Sequence, residues 1–179
     1  MDRYPLDKIN DANYWKSVSD LKTYANQFYP VMSRINAYQT DNNSDNQAPA
    51  SINSFTWNEY VVPASGGGWA KGDWSGIRSC NYFLQRYPAV QGNVQEINQY
   101  VAEIRFFKAF YYFEKLKNFG DLPWLSQELQ VHSEELMAPR DSRKLIMDSV
   151  IKELDFAIAN LPEQSAEGRL NKYAALAQK

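Results

Sequence analysis

Residues 93–120 read NVQEINQYVAEIRFFKAFYYFEKLKNFG, and their pattern decides the fold. Ile97, Tyr100, Val101, Ile104, Phe107 and Tyr111 recur at three- and four-residue spacings and form one apolar stripe. Phe106, Phe110 and Phe113 form a second. A helix that is apolar on two faces must be covered on both, so this segment is expected at the centre of a helical assembly. Asn93, with Glu96 three residues on, resembles a capping box. Gly120 is placed to cap the end, and Pro123 prevents the helix from resuming.

Outward from this segment the same period recurs. Leu21, Tyr24, Ala25, Phe28, Met32 and Ile35 make a stripe after Ser19, a candidate N-cap, with Pro30 expected to kink the helix. A second helix is predicted from Ser75 to Tyr87, carrying Ile77, Cys80 and Leu84 and stopped by Pro88. A fourth is predicted to start at Asp141 as N-cap, with Met147, Val150, Ile151, Leu154, Ile158 and Leu161 running to Pro162. A short fifth starts near Asn171 with Ala174, Ala175 and Leu176. Residues 39–54 are polar and read as loop. Trp57, Trp69 and Trp74 surround Gly66-Gly67-Gly68, a triplet too costly for regular structure, so these indoles are expected on a loop. The one hint of a strand is Tyr60-Val61-Val62. Helix pairs joined by connections of varied length imply a mainly α, helical-hairpin (tetratricopeptide-like) superhelical stack with long irregular loops. A strict 34-residue consensus is absent. The chain ends a few residues into its fifth helix, so the stack is expected to be cut short there.

The 179 residues suit one domain, and a chain of this length buries roughly 70% of its unfolded surface. A formal net charge of −2 gives no support for nucleic-acid binding, which depends on phosphate neutralisation. Aromatic residues make up 15%, enough to fill a core, form a recognition surface, or both. One cysteine excludes an intrachain disulfide and a cysteine zinc cluster, and Cys80 falls on an apolar stripe as a small core residue. One histidine, His132 in a polar stretch, excludes a multi-histidine metal site. No apolar run approaches the ~20 residues of a membrane span. The opening Met1-Asp2-Arg3-Tyr4-Pro5 lacks the apolar stretch of a signal peptide, so the chain is either cytosolic or numbered after a removed leader.

Four stretches carry candidate chemistry. Glu103, with Arg105 and Lys108, could supply a general acid for glycoside hydrolysis or an internal charge network that holds helices in register. Asp41 and Asp45 lie among asparagines, but the glycine and closing glutamate of an EF-hand are missing. The glycine triplet lacks the Gly-Lys-Ser/Thr of a phosphate-binding loop. No pattern calls for a cofactor or a metal. Trp69-Ala70-Lys71-Gly72-Asp73-Trp74 joins flat apolar rings to polar partners, which suits the C–H face and hydroxyl rim of a sugar. The same tryptophans could equally plug a gap between helices.

Several motifs in order resemble the N-terminal part of the SusD/RagB family of outer-membrane glycan-binding lipoproteins. They are Leu6-Asp7, Tyr14-Trp15 and Asp20-Leu21, then Thr40-Asp41, then Ile77-Arg78-Ser79-Cys80-Asn81-Tyr82-Phe83-Leu84. The most specific runs from Ala102-Glu103-Ile104-Arg105-Phe106-Phe107 through Lys108-Ala109-Phe110-Tyr111-Tyr112-Phe113 to Phe119-Gly120-Asp121-Leu122-Pro123. Pro139-Arg140, Glu153-Leu154-Asp155-Phe156-Ala157, Leu161-Pro162 and Gly168-Arg169-Leu170-Asn171-Lys172-Tyr173-Ala174-Ala175 complete it. Lys108, Glu153 and Tyr173 depart from the residues usual in the family.

The resemblance implies that residues 1–179 form an N-terminal helical-repeat domain of a non-enzymatic protein on the outer membrane, at the cell surface. It implies an oligosaccharide ligand and a SusC-like TonB-dependent transporter as partner. Loops before the second helix commonly supply aromatic contacts to the sugar, which points to Trp69, Asp73 and Trp74, with Asp41 and Trp57 as further candidates. The contrasting readings are a helical-repeat scaffold that grips a protein without binding sugar, and a glycosidase fragment.

Overall fold

The computed structural model describes residues 14–34, 51, 54, 57–62, 66–166 and 168–179. Among them lie five α-helices: α1 (Val18–Asn26), α2 (Ser75–Arg86), α3 (Val94–Phe119), α4 (Arg143–Asn160) and α5 (Lys172–Gln178). No β-strand occurs among the described residues, and the segment Tyr60-Val61-Val62 is irregular and exposed. The mainly α, hairpin-stacked class read from the sequence is therefore the class observed.

The 26 residues of α3 span about 39 Å and form the axis of the assembly. Both stripes read from its sequence are used. Val101, Ile104 and Phe107 are buried on one, Phe106 and Phe110 on the other, and Ala102, Ala109 and Tyr112 fill the space between. Helices α1, α2 and α4 all pack on it. The α2/α3 pair is antiparallel: Gly76 meets the Tyr111 ring near one end, and Cys80 faces the Lys108 region further along. The α3/α4 pair is antiparallel as well, with the Asp121 carboxylate accepting from the Arg143 N–H at 2.7 Å and Arg105 facing Glu153. Helix α5 folds back on α4, where Lys179 pairs with Asp155 at 2.6 Å. This is the hairpin logic of a repeat stack.

Helix ends follow capping chemistry with four corrections. Ser17, not Ser19, caps α1; the Asp20 carboxylate accepts from the Ser17 N–H and hydroxyl, each at 2.8 Å. Pro30 does not kink a continuing α-helix. The α-helix stops at Asn26, and Tyr29–Arg34 winds as a 3-10 turn, which tolerates a missing N–H near its start. Ser142, not Asp141, caps α4 by accepting from the Leu145 N–H at 3.3 Å. Asn93 caps α3 by accepting from the Gln95 N–H at 2.8 Å rather than through a capping box with Glu96, and Asn171, near the expected start of the last helix, caps α5 by accepting from the Ala174 N–H at 2.9 Å.

One buried and one half-buried charge cluster lock the helices. Glu103 has no exposed surface, and both its oxygens accept from Arg169, each at 2.9 Å; the Tyr29 hydroxyl adds a third bond at 2.9 Å. Burial raises the Glu103 carboxyl above its usual range, and the Arg169 guanidinium pulls it back. Arg105 lies over the Phe156 ring and 3.5 Å from Glu153. The single network read around Glu103, Arg105 and Lys108 is thus two separate clusters. Residues 103 and 169 join α3 to the approach of α5, and 105 and 153 join α3 to α4.

Candidate functional site

The tryptophan-bearing loop is held by backbone and cation contacts. Gly66, Gly67 and Gly68 all adopt positive φ (80°, 60° and 92°), a run that residues with a Cβ resist. The loop closes with Trp69 N–H donating to the Gly66 carbonyl at 3.0 Å, then winds into a 3-10 turn, Lys71–Trp74, that feeds α2 directly. Asp73 caps that turn, its carboxylate accepting from the Ala70 N–H at 2.8 Å. Lys115 of α3 donates to the Gly68 carbonyl at 2.8 Å and ties the loop to the central helix.

The two indoles meet edge to face, their centroids 5.2 Å apart at 87°. Trp69 also meets Phe119 at 4.9 Å and 72°. A cation covers each indole: the Arg140 guanidinium lies 4.3 Å from the Trp69 centroid, and Lys115 Nζ lies 4.5 Å from that of Trp74. Both tryptophans are half-buried. They pack against the core on one side and line a groove on the other.

The facing wall comes from residues 122–129 after α3. Three side chains fix it. Tyr112 of α3 accepts from the Leu125 N–H at 2.7 Å and donates to the Pro123 carbonyl at 3.3 Å. Asn81 of α2, 1% exposed, donates to the carbonyls of Leu125 and Gln127 at 2.9 and 3.0 Å. The Asp141 carboxylate accepts from the Trp124 N–H at 2.7 Å, while its backbone pairs with Leu122. Asp141 therefore shapes the groove wall, which explains why it is not the cap of α4. Between the walls lies a cavity of about 810 Å³, lined among others by Trp69, Trp74, Leu125, Leu129, Leu136 and Arg140. Apolar walls with a few polar groups are the common composition of a small-molecule site.

Of the residues picked from the sequence, Trp69 and Trp74 line this groove. Asp73 sits on the same turn, committed through one oxygen to capping. Trp57 is 63% exposed and does not line the groove. Asp41 lies outside the described residues, as does Asp45. The second wall and Arg140 lie outside the candidates that the sequence singles out, although Pro139-Arg140 is one of the family-like motifs. Cys80 is fully buried and burial pushes its thiol up, as its place on an apolar stripe implied. Glu103 is bound to Arg169 and lies away from the groove lining. Among the described residues no group of three or more His, Cys, Asp or Glu could hold a metal, and no helix is long and apolar enough to cross a membrane.

The fold is thus a helical stack with an aromatic-lined groove on its central hairpin. Residues 6–179 match the SusD-like family described as starch-binding and associating with the outer membrane, and the chain belongs to that family. It is 24% identical to the SusD-like protein P38 of Formosa agariphila, over 98% of this chain and 36% of that protein. A SusD-like protein of Bacteroides fragilis shares the fold with a TM-score of 0.81 and 28% identity, covering 98% of this chain and 36% of its own. A laminarin-binding SusD-like protein superposes with a TM-score of 0.75 at 20% identity, over 91% of this chain and 39% of its own. The chain thus spans about a third of the length of these relatives.

Proposed function

We propose that this chain is the N-terminal helical-repeat domain, residues 1–179, of a protein that captures oligosaccharides at the outer membrane without cleaving them. In this reading the captured glycan passes to a SusC-like TonB-dependent transporter. The observation that carries it is the pair Trp69 and Trp74, half-buried and lining a groove of about 810 Å³. Rings held at right angles present one face and one edge to a ligand, and their packing against Phe119 and Lys115 fixes them before binding. A prearranged site loses less entropy on association. Trp69, Asp73 and Trp74 are the sugar contacts in this proposal, with Asp41 and Trp57 as outlying candidates.

Isothermal titration with a panel of oligosaccharides tests it. Trp74→Ala and Trp69→Ala are expected to weaken retention roughly tenfold or more, since one base- or sugar-stacking ring contributes on the order of 1–3 kcal/mol. Circular dichroism of the same variants should keep the helical signal. Unchanged affinity with intact helices, or steady release of reducing sugar by the unaltered chain, would overturn the reading.

A further inference from the structure

We infer that the groove selects acidic oligosaccharides, those bearing carboxylate or sulfate groups, and that Arg140 is the residue that seats the anion. This rests on the groove being the sugar site and goes beyond it by naming the ligand's charge. Three cations line the groove, Lys71, Arg78 and Arg140, against one carboxylate, Glu135. The surplus stands out in a chain whose overall charge is −2.

The carboxylates near these cations are already engaged. Glu135 accepts from Gln127 Nε2 at 2.6 Å. Glu128 is engaged by both Arg78 at 3.4 Å and Arg86 at 3.1 Å. Asp73 is turned to the Ala70 N–H, and Lys115 faces it from α3. Arg140 and Lys71 have no carboxylate partner among the described residues.

The stacking of Arg140 determines what it can do. A guanidinium lying over an indole has one planar face occupied, while its N–H donors still point outward in its own plane. Those donors form the fork that binds a carboxylate or sulfate through two parallel bonds. The contact with Trp69 restrains the guanidinium in advance, so less rotamer freedom is lost on binding. For a neutral sugar the same arrangement is a handicap, because Arg140 occupies a ring face that a pyranose would use. An acidic sugar gains an ion pair that offsets the covered ring face.

Isothermal titration of the full chain with maltoheptaose, an oligogalacturonate and a sulfated carrageenan fragment of similar length tests the inference. The acidic fragments should bind at least about tenfold more tightly than the neutral one, the ratio expected for one charge-assisted contact. That preference should shrink from about 0.05 M to about 0.5 M salt as exposed charges are screened. Arg140→Gln should abolish the preference, and Arg140→Lys should restore only part of it, because lysine lacks the fork. Lys71→Gln, at an exposed position, gives a parallel reading should Arg140→Gln lower the helical signal. The uronate and sulfate arms distinguish the two sources of charge. Equal affinity for neutral and acidic fragments, or a preference that survives Arg140→Gln, would overturn the inference and leave the groove reading intact. Binding of none of the three would overturn both.

Discussion

Arg169 and Arg140 both lie against aromatic rings, yet the fold uses them in opposite ways. Arg169 sits 5.3 Å from the centroids of Tyr29 and Tyr100, with its Nε–Nη2 edge closed on the buried Glu103 and Nη1 donating to Asn26. Arg140 sits 4.3 Å from the Trp69 centroid on an exposed stretch and closes on no carboxylate among the described residues. The first is sealed between helices and holds them in place. The second keeps its donors open beside a cavity. Residue type alone does not assign a role; the partner and its burial do.

The contrast breaks most readily at Arg169. Arg169→Ala strands the Glu103 carboxylate in the interior and is expected to cost about 3–5 kcal/mol, read as a lower urea midpoint. Arg140→Ala at the groove should shift that midpoint by less than about 0.5 kcal/mol. Equal losses at both positions would erase the distinction. The next effect is at Gly76 on α2, where an added Cβ would lie 2.6 Å from the Tyr111 ring. Gly76→Ala should cost about 1–3 kcal/mol by thermal unfolding, because the helices must part slightly to admit it.

A third charge sharpens the comparison through pH. Lys108 is 2% exposed, 4.8 Å from the Trp124 centroid, and burial depresses its ammonium below the ordinary 10.5. With a lowered folded value, the unfolded chain binds the extra proton over the window just below 10.5, so stability should rise with pH there. Lys108→Met should remove that rise and stabilise the neutral-pH protein by about 1 kcal/mol, as measured by denaturation at a series of pH values. A modest effect is expected at Asp73. Asp73→Ala should cost about 0.5–1 kcal/mol by loss of the cap and loosen the indole pair, seen as a shift in tryptophan emission.

The sequence carried the helices because their stripes are local. The two faces of α3, the cap at Asn93 and the cap at Asn171 are all set within a few residues. It carried half of the groove for the same reason, since Trp69 and Trp74 lie five residues apart in one segment. The other half depends on contacts that no spacing announces. Asn81 reaches residues 44 and 46 positions away, and Glu103 finds Arg169 across 66. Asp141 looked like a cap because aspartate beside a helix start commonly is one; its carboxylate instead serves Trp124, 17 residues earlier. A polar run holding Leu125, Leu129 and Leu136 but lacking helical period was the available sign of a wall.

Amide hydrogen exchange of the full chain, with and without a saturating oligosaccharide, tests the sugar groove most directly. Slowed exchange should be confined to residues 66–75 and 123–140, the two walls, with α4 and α5 unchanged. Protection on the α4–α5 surface, or no protection at either wall while titration shows binding, would contradict it.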